Sequence, residues 1–600
     1  MKSINQETWD LSALYKSDND PKIIEDRKSA ETILNAFVNK WEKNEKYLKD
    51  PKTLLQAITE YEQMILNNGL LSHEEAYLFL RTSQDSINTD LKASQNIHND
   101  LMNKQMNKVQ FFTYRISKIP EKEQKKFLDY APLSKYKHYL EKLFSEAKYL
   151  LSEDVEKVLL ITTKTSHSNW TDMTEEFLYA EERNITVDGE KKKLGLDSLL
   201  NIATTHKDEA TRDNATNLVN EILRKWMPVA TKELNTVLEY KRNIDEIRGF
   251  KRADEERLLS DDITPEFVDP LLEAVTERFD ISQRYYALKA KLLGKKKLKY
   301  NERMLTVGSY DRKYSYQEAK EIVLNLYQKL DSELYNIVKA FFDEKRVDVF
   351  PQKGKRGGAF CSISLSTHPI YILLNHTEEV HDVTTLAHEL GHGVNHVLMQ
   401  RNCSELNYTS SKSTAEVAST FFEDFAIEEI AEGLSQEDRL TIMIKKLDGD
   451  VASIFRQIAF YKFEQELHVI AKEKGYLSEK EIGELFIKHM KSYLGDAVSY
   501  EEGCENWWEY VGHFRYFFYV YSYASGLLVS KALQDMVKEN HENINLVKDF
   551  LSKGGEMSPL DIFKSLGLDV TTKEFWNKGI AKVEKLLDET EELAKKLGKI

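Results

Sequence analysis

The chain has 600 residues, of which 41% are hydrophobic and 30% are charged, and its formal net charge is −15. A chain of this length is too long for a single hydrophobic core, so we expect at least two packed lobes. The net negative charge argues against nucleic acid and against an anionic membrane as partners. Only 10 prolines and 24 glycines interrupt the chain, so long helices are expected to dominate.

The cysteine usage and the N-terminus predict a cytoplasmic protein. The three cysteines, Cys361, Cys403 and Cys504, are too few and too scattered for a disulfide framework, so we expect reduced thiols. The first residues lack the apolar run of a signal peptide. The most membrane-like stretch, residues 514–529, contains Arg515 and is too short to span a bilayer.

The N-terminal third is dominated by helical patterns. The segment Trp9 to Tyr15 is aromatic-rich and is expected to anchor the N-terminus on a later element. Apolar residues then recur at three- and four-residue spacing up to about residue 184, which predicts successive helices. Asp188-Gly189 suits the type I′ turn of a tight hairpin. We place a domain boundary near residue 190, between an N-terminal helical region (1–190) and a second region (191–600).

A change of sequence pattern between residues 346 and 375, from helical periodicity to short β-rich runs, predicts a small antiparallel sheet. Three short β-rich runs occur here, at residues 346–350, 359–364 and 371–374. The glycines between the first two runs lack the order of a phosphate-binding loop. They are equally compatible with a simple turn and with close approach of a bound peptide backbone to a strand edge.

A His-Glu-x-x-His motif follows the predicted sheet, on a helix that Asp382 can cap. Residues four apart share a helix face, so His388 and His392 can direct imidazole nitrogens at one point, at the roughly 2.0–2.1 Å that zinc requires. Glu389 lies about 100° around the helix, close enough to hold a water rather than bind the ion. This pattern predicts a hydrolytic zinc centre.

A third ligand must come from elsewhere, because hydrolytic zinc usually takes three protein ligands. The metzincin pattern would place glycine at 395 and histidine at 398, but the chain has Asn395 and Leu398, which excludes that class. Three ligands in line on one straight helix cannot converge on one ion. His396 is therefore expected to pack or to support a ligand.

A following helix, from residue 413 or 414 to Gly433, offers two carboxylates on one face. Glu416 and Glu423 are seven residues apart, among small and apolar neighbours. The default for an acidic helix residue is a solvated side chain. The apolar context instead favours Glu416 as the third ligand, with Glu423 as the acceptor that orients a ligating imidazole.

The densest aromatic stretch of the chain spans residues 513–526. On a helix, His513, Tyr516, Tyr519 and Tyr523 would form one stripe. Such a stripe is more often core than catalytic, although phenylalanine would serve a plain core better than tyrosine. Phenol and imidazole groups could instead donate to the oxyanion of a tetrahedral intermediate.

Taken together, these motifs identify a resemblance. The site motifs are His388-Glu-Leu-Gly-His392, Ala415-Glu416-Val-Ala-Ser-Thr-Phe-Phe-Glu423 and His513 followed by Tyr519-Val-Tyr-x-Tyr-Ala, and further segments are Trp9-Asp-Leu-Ser-x-Leu-Tyr15 and Gly354-Lys-Arg-Gly-Gly-Ala-Phe360. In these the chain resembles the oligoendopeptidase F branch of the thimet oligopeptidase family. The resemblance implies a mainly helical, two-lobed ellipsoid with a deep substrate channel, one zinc ion per chain, and endopeptidase action on short unstructured peptides.

The resemblance also implies roles for individual residues. The ligands would be His388, His392 and Glu416, with Glu389 as general base. Substrate binding and oxyanion stabilisation would fall to His513, Tyr516 and Tyr519. A strand entered through Gly357, Gly358 and Ala359 would pair with the substrate backbone. Residues 1–190 would form the channel wall or lid and residues 191–600 the catalytic region.

One departure from the family concerns the helix of the motif. Family members usually carry a histidine three residues after the second ligand, where this chain has Asn395. The change leaves the expected ligands intact and puts any supporting or substrate role of that position in doubt.

Two alternative functions are compatible with the same motifs. One is a zinc carboxypeptidase or dipeptidyl carboxypeptidase, which would need a fixed cation for the substrate C-terminal carboxylate. The other is a non-catalytic peptide-binding protein, against which the intact Glu389 argues. The expected partners are oligopeptide substrates, with no nucleic acid and no membrane, and the expected state is a monomer.

Overall fold

The computed structural model describes residues 7–600, apart from the side chain of residue 160. The predicted mainly helical fold is confirmed. Contacts divide the chain into two compact units, each built from three segments. Unit 1 takes the described part of Met1–Lys148, with Arg312–Glu432 and Leu533–Leu568, and unit 2 takes Tyr149–Asp311, Gly433–Ala532 and Asp569–Ile600. Residue 190 lies inside a segment of unit 2. The predicted division of the chain into a channel wall (1–190) and a catalytic region (191–600) stays a prediction.

Buried hydrophobic residues of unit 1 cluster among its first helices and where Trp9 meets the sheet. Its helices are α1 (Lys22–Trp41), α2 (Pro51–Leu66), α3 (Ser72–Gln84), α4 (Thr89–Val109), α5 (Phe111–Ser117), α6 (Glu121–Leu128), α7 (Lys137–Glu146), α15 (Tyr316–Leu330), α16 (Ser332–Asp343), α17 (Val380–Asn402), α18 (Lys412–Ala431), α23 (Ile544–Ser552) and α24 (Pro559–Ser565). The expected N-terminal anchor is present, because the Trp9 indole N–H donates to the carbonyl oxygen of Ile372 at 2.8 Å.

Unit 2 contains the other helices and two small pairs of strands. Its helices are α8 (Glu153–Thr163), α9 (Asn169–Tyr179), α10 (Leu196–Thr205), α11 (Glu209–Arg248), α12 (Glu255–Ser260), α13 (Pro265–Glu277), α14 (Phe279–Leu292), α19 (Gln436–Asp450), α20 (Gln457–Lys474), α21 (Glu479–Leu494) and α25 (Lys573–Lys596), while α22 (Tyr521–Glu539) contributes residues to both units. Strands β1 (Glu182–Val187) and β2 (Glu190–Gly195) form the predicted hairpin, with positive φ at Asp188 (52°) and Gly189 (81°), as a type I′ turn requires. Strands β3 (Leu298–Lys299) and β7 (Val498–Ser499) pair in parallel.

A three-stranded sheet in unit 1 precedes α17, but it is mixed rather than antiparallel. Strands β4 (Val347–Asp348), β5 (Phe360–Ser362) and β6 (Tyr371–Leu373) lie in the order β4-β6-β5. β5 pairs with β6 antiparallel, whereas β4 pairs with β6 in parallel. A parallel pair needs a long crossover connection, and the chain between β4 and β6, which includes β5, provides one. The predicted wholly antiparallel pairing is wrong for β4, and β5 is left at the sheet edge.

Within the described residues, no helix is both long and apolar enough to cross a membrane.

Candidate metal centre

Helix α17 carries the His-Glu-x-x-His motif and begins slightly earlier than predicted. Glu379 occupies the N-cap position, and Asp382 lies one turn inside the helix. The Asp382 carboxylate accepts the backbone N–H groups of Thr377 (2.7 Å) and Glu379 (2.9 Å). Asp382 therefore satisfies backbone donors at the start of the helix, as a capping carboxylate does, although it lies at the third helical position and not at the predicted N-cap.

Gly391, inside the motif, allows α17 and α18 to pack closely. A Cβ atom at this position would lie 2.9 Å from the carbonyl oxygen of Ala418 and 2.9 Å from the Cα of Ser419. Both are backbone atoms of α18 and cannot rotate away. The absence of a side chain at Gly391 lets the two backbones approach closely, and Glu416 on α18 then reaches the two histidines.

The three predicted ligands converge. His388, His392 and Glu416 each offer one atom, and these atoms lie within 4.8 Å of one another. The Glu416 Oε2 atom is 3.6 Å from His388 Nε2 and 3.7 Å from His392 Nε2. A zinc tetrahedron with bonds of roughly 2.0–2.1 Å has ligand separations of roughly 3.3–3.4 Å, so a small adjustment of side chains would suffice. The donor set therefore fits a zinc ion.

Glu423 lies behind His388, as predicted. The His388 Nδ1–H group donates to Glu423 Oε2 at 3.0 Å, because a carboxylate can only accept, and this leaves Nε2 directed towards Glu416. Burial disfavours a charged imidazole, but this hydrogen bond and the negative charges of Glu423, Glu389 and Glu416 raise the pKa of His388 to about 9. The same carboxylates would attract a divalent cation.

His392 is held in the form that binds metal. Burial, together with the charge on His388, lowers the pKa of His392 to about 4. The ring is therefore neutral near neutral pH, and a neutral imidazole is what a zinc ligand requires.

Glu389 is almost completely buried and has the titration expected of a base. Burial raises the pKa of its carboxyl to about 7, against the lowering effect of the His388 charge and of a hydrogen bond from the Cys361 backbone. General bases work best when their pKa lies near the working pH. The contact with Cys361 also places this carboxylate beside strand β5.

Asn395 and His396 make packing and hydrogen-bond contacts away from the three candidate ligands. The Asn395 side-chain amide is buried and donates to the Leu551 carbonyl oxygen at 2.6 Å, which ties α17 to α23. His396 is buried against Tyr408, with ring centroids 6.2 Å apart, and burial lowers the pKa of its imidazole to about 3. The asparagine at the family's histidine position thus has a structural contact within unit 1.

The predicted substrate-binding residues lie in the turn that enters β5. Gly357 and Gly358 have open space where a Cβ would stand, Gly358 has a φ of 75°, and Ala359 directly precedes the strand. The Asn375 side chain donates to the carbonyl oxygens of Arg356 (2.9 Å) and Gly358 (2.7 Å). These hydrogen bonds tie the turn to the segment that follows β6.

The aromatic segment is not the continuous helix that its spacing predicts. His513 lies in a 3₁₀ turn, Gly512–Arg515, and α22 starts only at Tyr521. Between them, Phe517 and Phe518 adopt left-handed φ values of 51° and 54°, and a right-handed helix cannot pass through such residues. The predicted single helical stripe is wrong.

His513 and Tyr519 nevertheless contact each other within unit 2. The His513 Nδ1 atom and the Tyr519 hydroxyl form a short hydrogen bond, and the Tyr523 ring centroid lies 6.0 Å from that of His513. Burial lowers the pKa of His513 and raises that of Tyr519, so both groups are neutral near neutral pH. Tyr516 is 49% exposed, and its ring lies towards His167 at 6.4 Å.

The sequence analysis missed one residue beside the candidate ligands and one beside the turn that enters β5. Ser419 donates to Glu416 Oε2 at 3.0 Å, and its position three residues after Glu416 on a helix could have revealed it. Asn375 stands far from Gly358 in sequence, and no local signal connects the two residues.

Sequence comparisons relate the chain to known peptidases. The sequence profile of peptidase family M3 matches residues 202–582, and a profile described as Oligopeptidase F matches residues 115–178. Oligopeptidase PepF of Bacillus subtilis (strain 168) is 27% identical over 602 residues, covering 99% of this chain and 88% of that protein. An oligoendopeptidase F homolog of Borreliella burgdorferi (strain ATCC 35210 / DSM 4680 / CIP 102532 / B31) is 27% identical over 94% of each chain.

Solved structures agree on the fold. The crystal structure of oligoendopeptidase F from Enterococcus faecium has a TM-score of 0.69 and 21% identity, and the match covers 96% of this chain and 98% of the other. The M3 profile spans more than half of the 600 residues and includes every residue of the metal centre. The chain therefore belongs to peptidase family M3.

Proposed function

We propose that this chain is a zinc-dependent endopeptidase of the oligoendopeptidase F branch, which hydrolyses internal bonds of short, unstructured peptides. The observation that carries the proposal is the convergence of the His388, His392 and Glu416 ligand atoms beside the buried carboxyl group of Glu389. The names of the relatives that match nearly the whole chain support the same activity. The substrate channel, the monomeric state and the cytoplasmic location stay predictions.

The three proposed ligands would hold one zinc ion per chain. Two imidazoles and one carboxylate leave a tetrahedral ion one open position, which is the arrangement of hydrolytic sites. When bound, the ion supplies Lewis-acid chemistry that acidifies water and polarises a carbonyl group. Glu423 would fix the ring orientation of His388, and Ser419 would fix the Glu416 carboxylate through their 3.0 Å contacts.

Glu389 would act as the general base. It is buried, so its carboxylate is poorly solvated and binds a proton readily. It would take a proton from the attacking water and later give that proton to the leaving amine.

Strand β5 would hold the substrate backbone. It lies at the edge of the sheet, and an extended peptide can add to such an edge through main-chain hydrogen bonds. The open space around Gly357 and Gly358 would let the peptide approach the turn, and Ala359 would add little bulk. The Cys361 contact with Glu389 would place the paired peptide near the base.

His513, Tyr516 and Tyr519 are the proposed donors for substrate and oxyanion, on the basis of the family resemblance. In this role the Tyr519 phenol would donate its hydrogen to the developing negative charge while His513 Nδ1–H donates to the phenol oxygen, and the hydroxyl would leave its present hydrogen bond with Tyr523. A neutral phenol is required for this role, and burial keeps the Tyr519 pKa high. Tyr516 is exposed, which suits contact with substrate better than a fixed role in the oxyanion site.

Internally quenched peptides test the function. Matched peptides with free and amidated C-termini would be incubated with the zinc-loaded protein, and the products would be identified by mass spectrometry. An endopeptidase should cleave both sets at internal bonds. Removal of residues or dipeptides only from free C-termini would establish the carboxypeptidase alternative, and binding without cleavage would overturn the enzymatic proposal.

Metal analysis tests the ligand assignment. Glu416→Ala should purify with much less than one zinc per chain, because one of three ligands is removed. Glu428→Gln is a matched control on the same helix, since Glu428 is exposed and pairs with Lys538 at the surface. Full zinc occupancy in Glu416→Ala would remove Glu416 from the ligand set.

A further inference from the structure

Two consecutive phenylalanines interrupt the segment that carries His513 and Tyr519. Phe517 and Phe518 have φ values of 51° and 54°, which bulky L-residues rarely adopt because the Cβ atom approaches the backbone carbonyl oxygen. Such a conformation persists only where the surroundings enforce it. The contacts around Phe517 and Phe518 therefore show which residues hold this conformation.

The peptide group that joins the two phenylalanines is held at both ends by side chains. Its carbonyl oxygen, on Phe517, accepts a hydrogen bond from Arg257 Nε at 3.2 Å. Its N–H group, on Phe518, donates to Glu464 Oε1 at 3.0 Å. Arg257 Nη2 also donates to the preceding carbonyl oxygen, of Tyr516, at 3.1 Å.

Both side chains are themselves fixed within unit 2. Glu464, on α20, is 0% exposed, and burial raises the pKa of its carboxyl to about 8. Near neutral pH it is therefore mainly protonated and still offers an acceptor oxygen. Arg257, on α12, has an Nη1 atom 3.8 Å from Asp261, and Asp261 accepts the Tyr521 hydroxyl at 2.8 Å. The contacts thus continue into the first residue of α22.

We propose that Arg257 and Glu464 are positioning residues, which clamp the peptide between Phe517 and Phe518 and thereby place the Tyr519 hydroxyl against His513 for the reaction. The proposal rests on the proposed function, in which Tyr519 and His513 stabilise the oxyanion. Neither clamp residue needs to touch the substrate, because each acts on the backbone one to three residues before Tyr519.

A matched pair of substitutions isolates the acceptor at position 464. Glu464→Gln keeps an acceptor oxygen in a neutral side chain, so kcat should stay close to that of the wild type. Glu464→Leu keeps similar volume but leaves the Phe518 N–H group without its acceptor. Since a misplacement of about 1 Å can cost about 100-fold in rate, kcat should fall by roughly 10- to 100-fold with KM little changed. Zinc content should match the wild type, because Glu464 is not a proposed ligand.

A double variant separates positioning from general destabilisation. If Glu464 acts through Tyr519, then Glu464→Leu should cost little further kcat in a Tyr519→Phe background, because residues that act as a unit are not additive. Multiplied losses would overturn the positioning role. Arg257→Lys provides a second route if Glu464→Leu does not fold, since one ammonium group cannot reproduce the fork that reaches two carbonyl groups.

The single variants also separate failure of the clamp from failure of the proposed function. Lowered kcat in Tyr519→Phe with normal kcat in both Glu464→Leu and Arg257→Lys would overturn the clamp and leave the proposed function standing. Normal kcat in Tyr519→Phe would remove Tyr519 from the proposed oxyanion site and overturn the clamp with it.

Discussion

The charge of Glu423, which is hydrogen-bonded to His388, is expected to strengthen zinc binding by an amount that follows from the structure. In Glu423→Gln, the amide oxygen can still accept the His388 Nδ1–H bond that Glu423 Oε2 accepts at 3.0 Å. The substitution therefore removes the negative charge and keeps the shape and the contact. Any change in zinc affinity then measures what that charge contributes.

The distance sets the expected magnitude. A carboxylate 3.0 Å from Nδ1 is roughly 7 Å from an ion bound at Nε2 through a bond of roughly 2.0–2.1 Å. For a divalent ion at this distance, Coulomb's law gives roughly 1 kcal/mol in bulk water and roughly 5 kcal/mol at an effective dielectric constant of about 20. The two side chains are 25% and 30% exposed, so the lower part of this range applies. We expect zinc affinity to fall by roughly 10- to 100-fold, as for other partners of ligating histidines.

Competition with a chromophoric chelator would measure this loss, with zinc content after dialysis as an independent readout. Glu428→Gln removes a charge from the exposed side of the same helix and is the matched control. Equal zinc affinities in Glu423→Gln, Glu428→Gln and the wild type would show that the charge behind His388 does not stabilise the ion, and the electrostatic argument for the site would fail.

Further predictions concern three residues of α17. Glu389→Gln should retain zinc while kcat falls by roughly 10²–10⁴-fold, and wild-type kcat/KM should decrease as pH falls through the Glu389 pKa, at or below about 7; normal turnover would identify another base. Gly391→Ala should lower zinc content and destabilise the fold by about 1–3 kcal/mol through its 2.9 Å backbone clashes, measured by metal analysis and urea unfolding. Asn395→Ala should cost about 1–3 kcal/mol in urea unfolding, because the buried Leu551 carbonyl loses its donor, while kcat and zinc content stay unchanged; a lower zinc content would give Asn395 a role at the metal.

The convergence of the candidate ligands could be predicted from sequence because their spacing on each helix is local. The four-residue spacing of His388 and His392 places both rings on one face of any helix, and the seven-residue spacing of Glu416 and Glu423 does the same on α18. What the sequence does not contain is the distance between the helices. That distance depends on Gly391 packing against α18, a contact that only the folded chain defines.

The sheet beside α17 shows where local reasoning stops. Residue composition identified all three strands, because β-branched and aromatic runs are recognisable one at a time. The direction of pairing depends on how the chain returns after β4 (Val347–Asp348), and that path runs through β5 before reaching β6. No short-range pattern distinguishes a parallel return from an antiparallel one.

The aromatic segment shows why the error in secondary structure matters for function. On an uninterrupted helix, His513 and Tyr519 would lie about 120° apart around the axis and about 9 Å apart along it, so their side chains could not share a hydrogen bond. The observed bond therefore requires the interruption at Phe517 and Phe518. Nothing in the local sequence indicates it, because the peptide between these residues is held by Arg257 and Glu464, which are remote in sequence. The departure from the helix is what brings His513 and Tyr519 together.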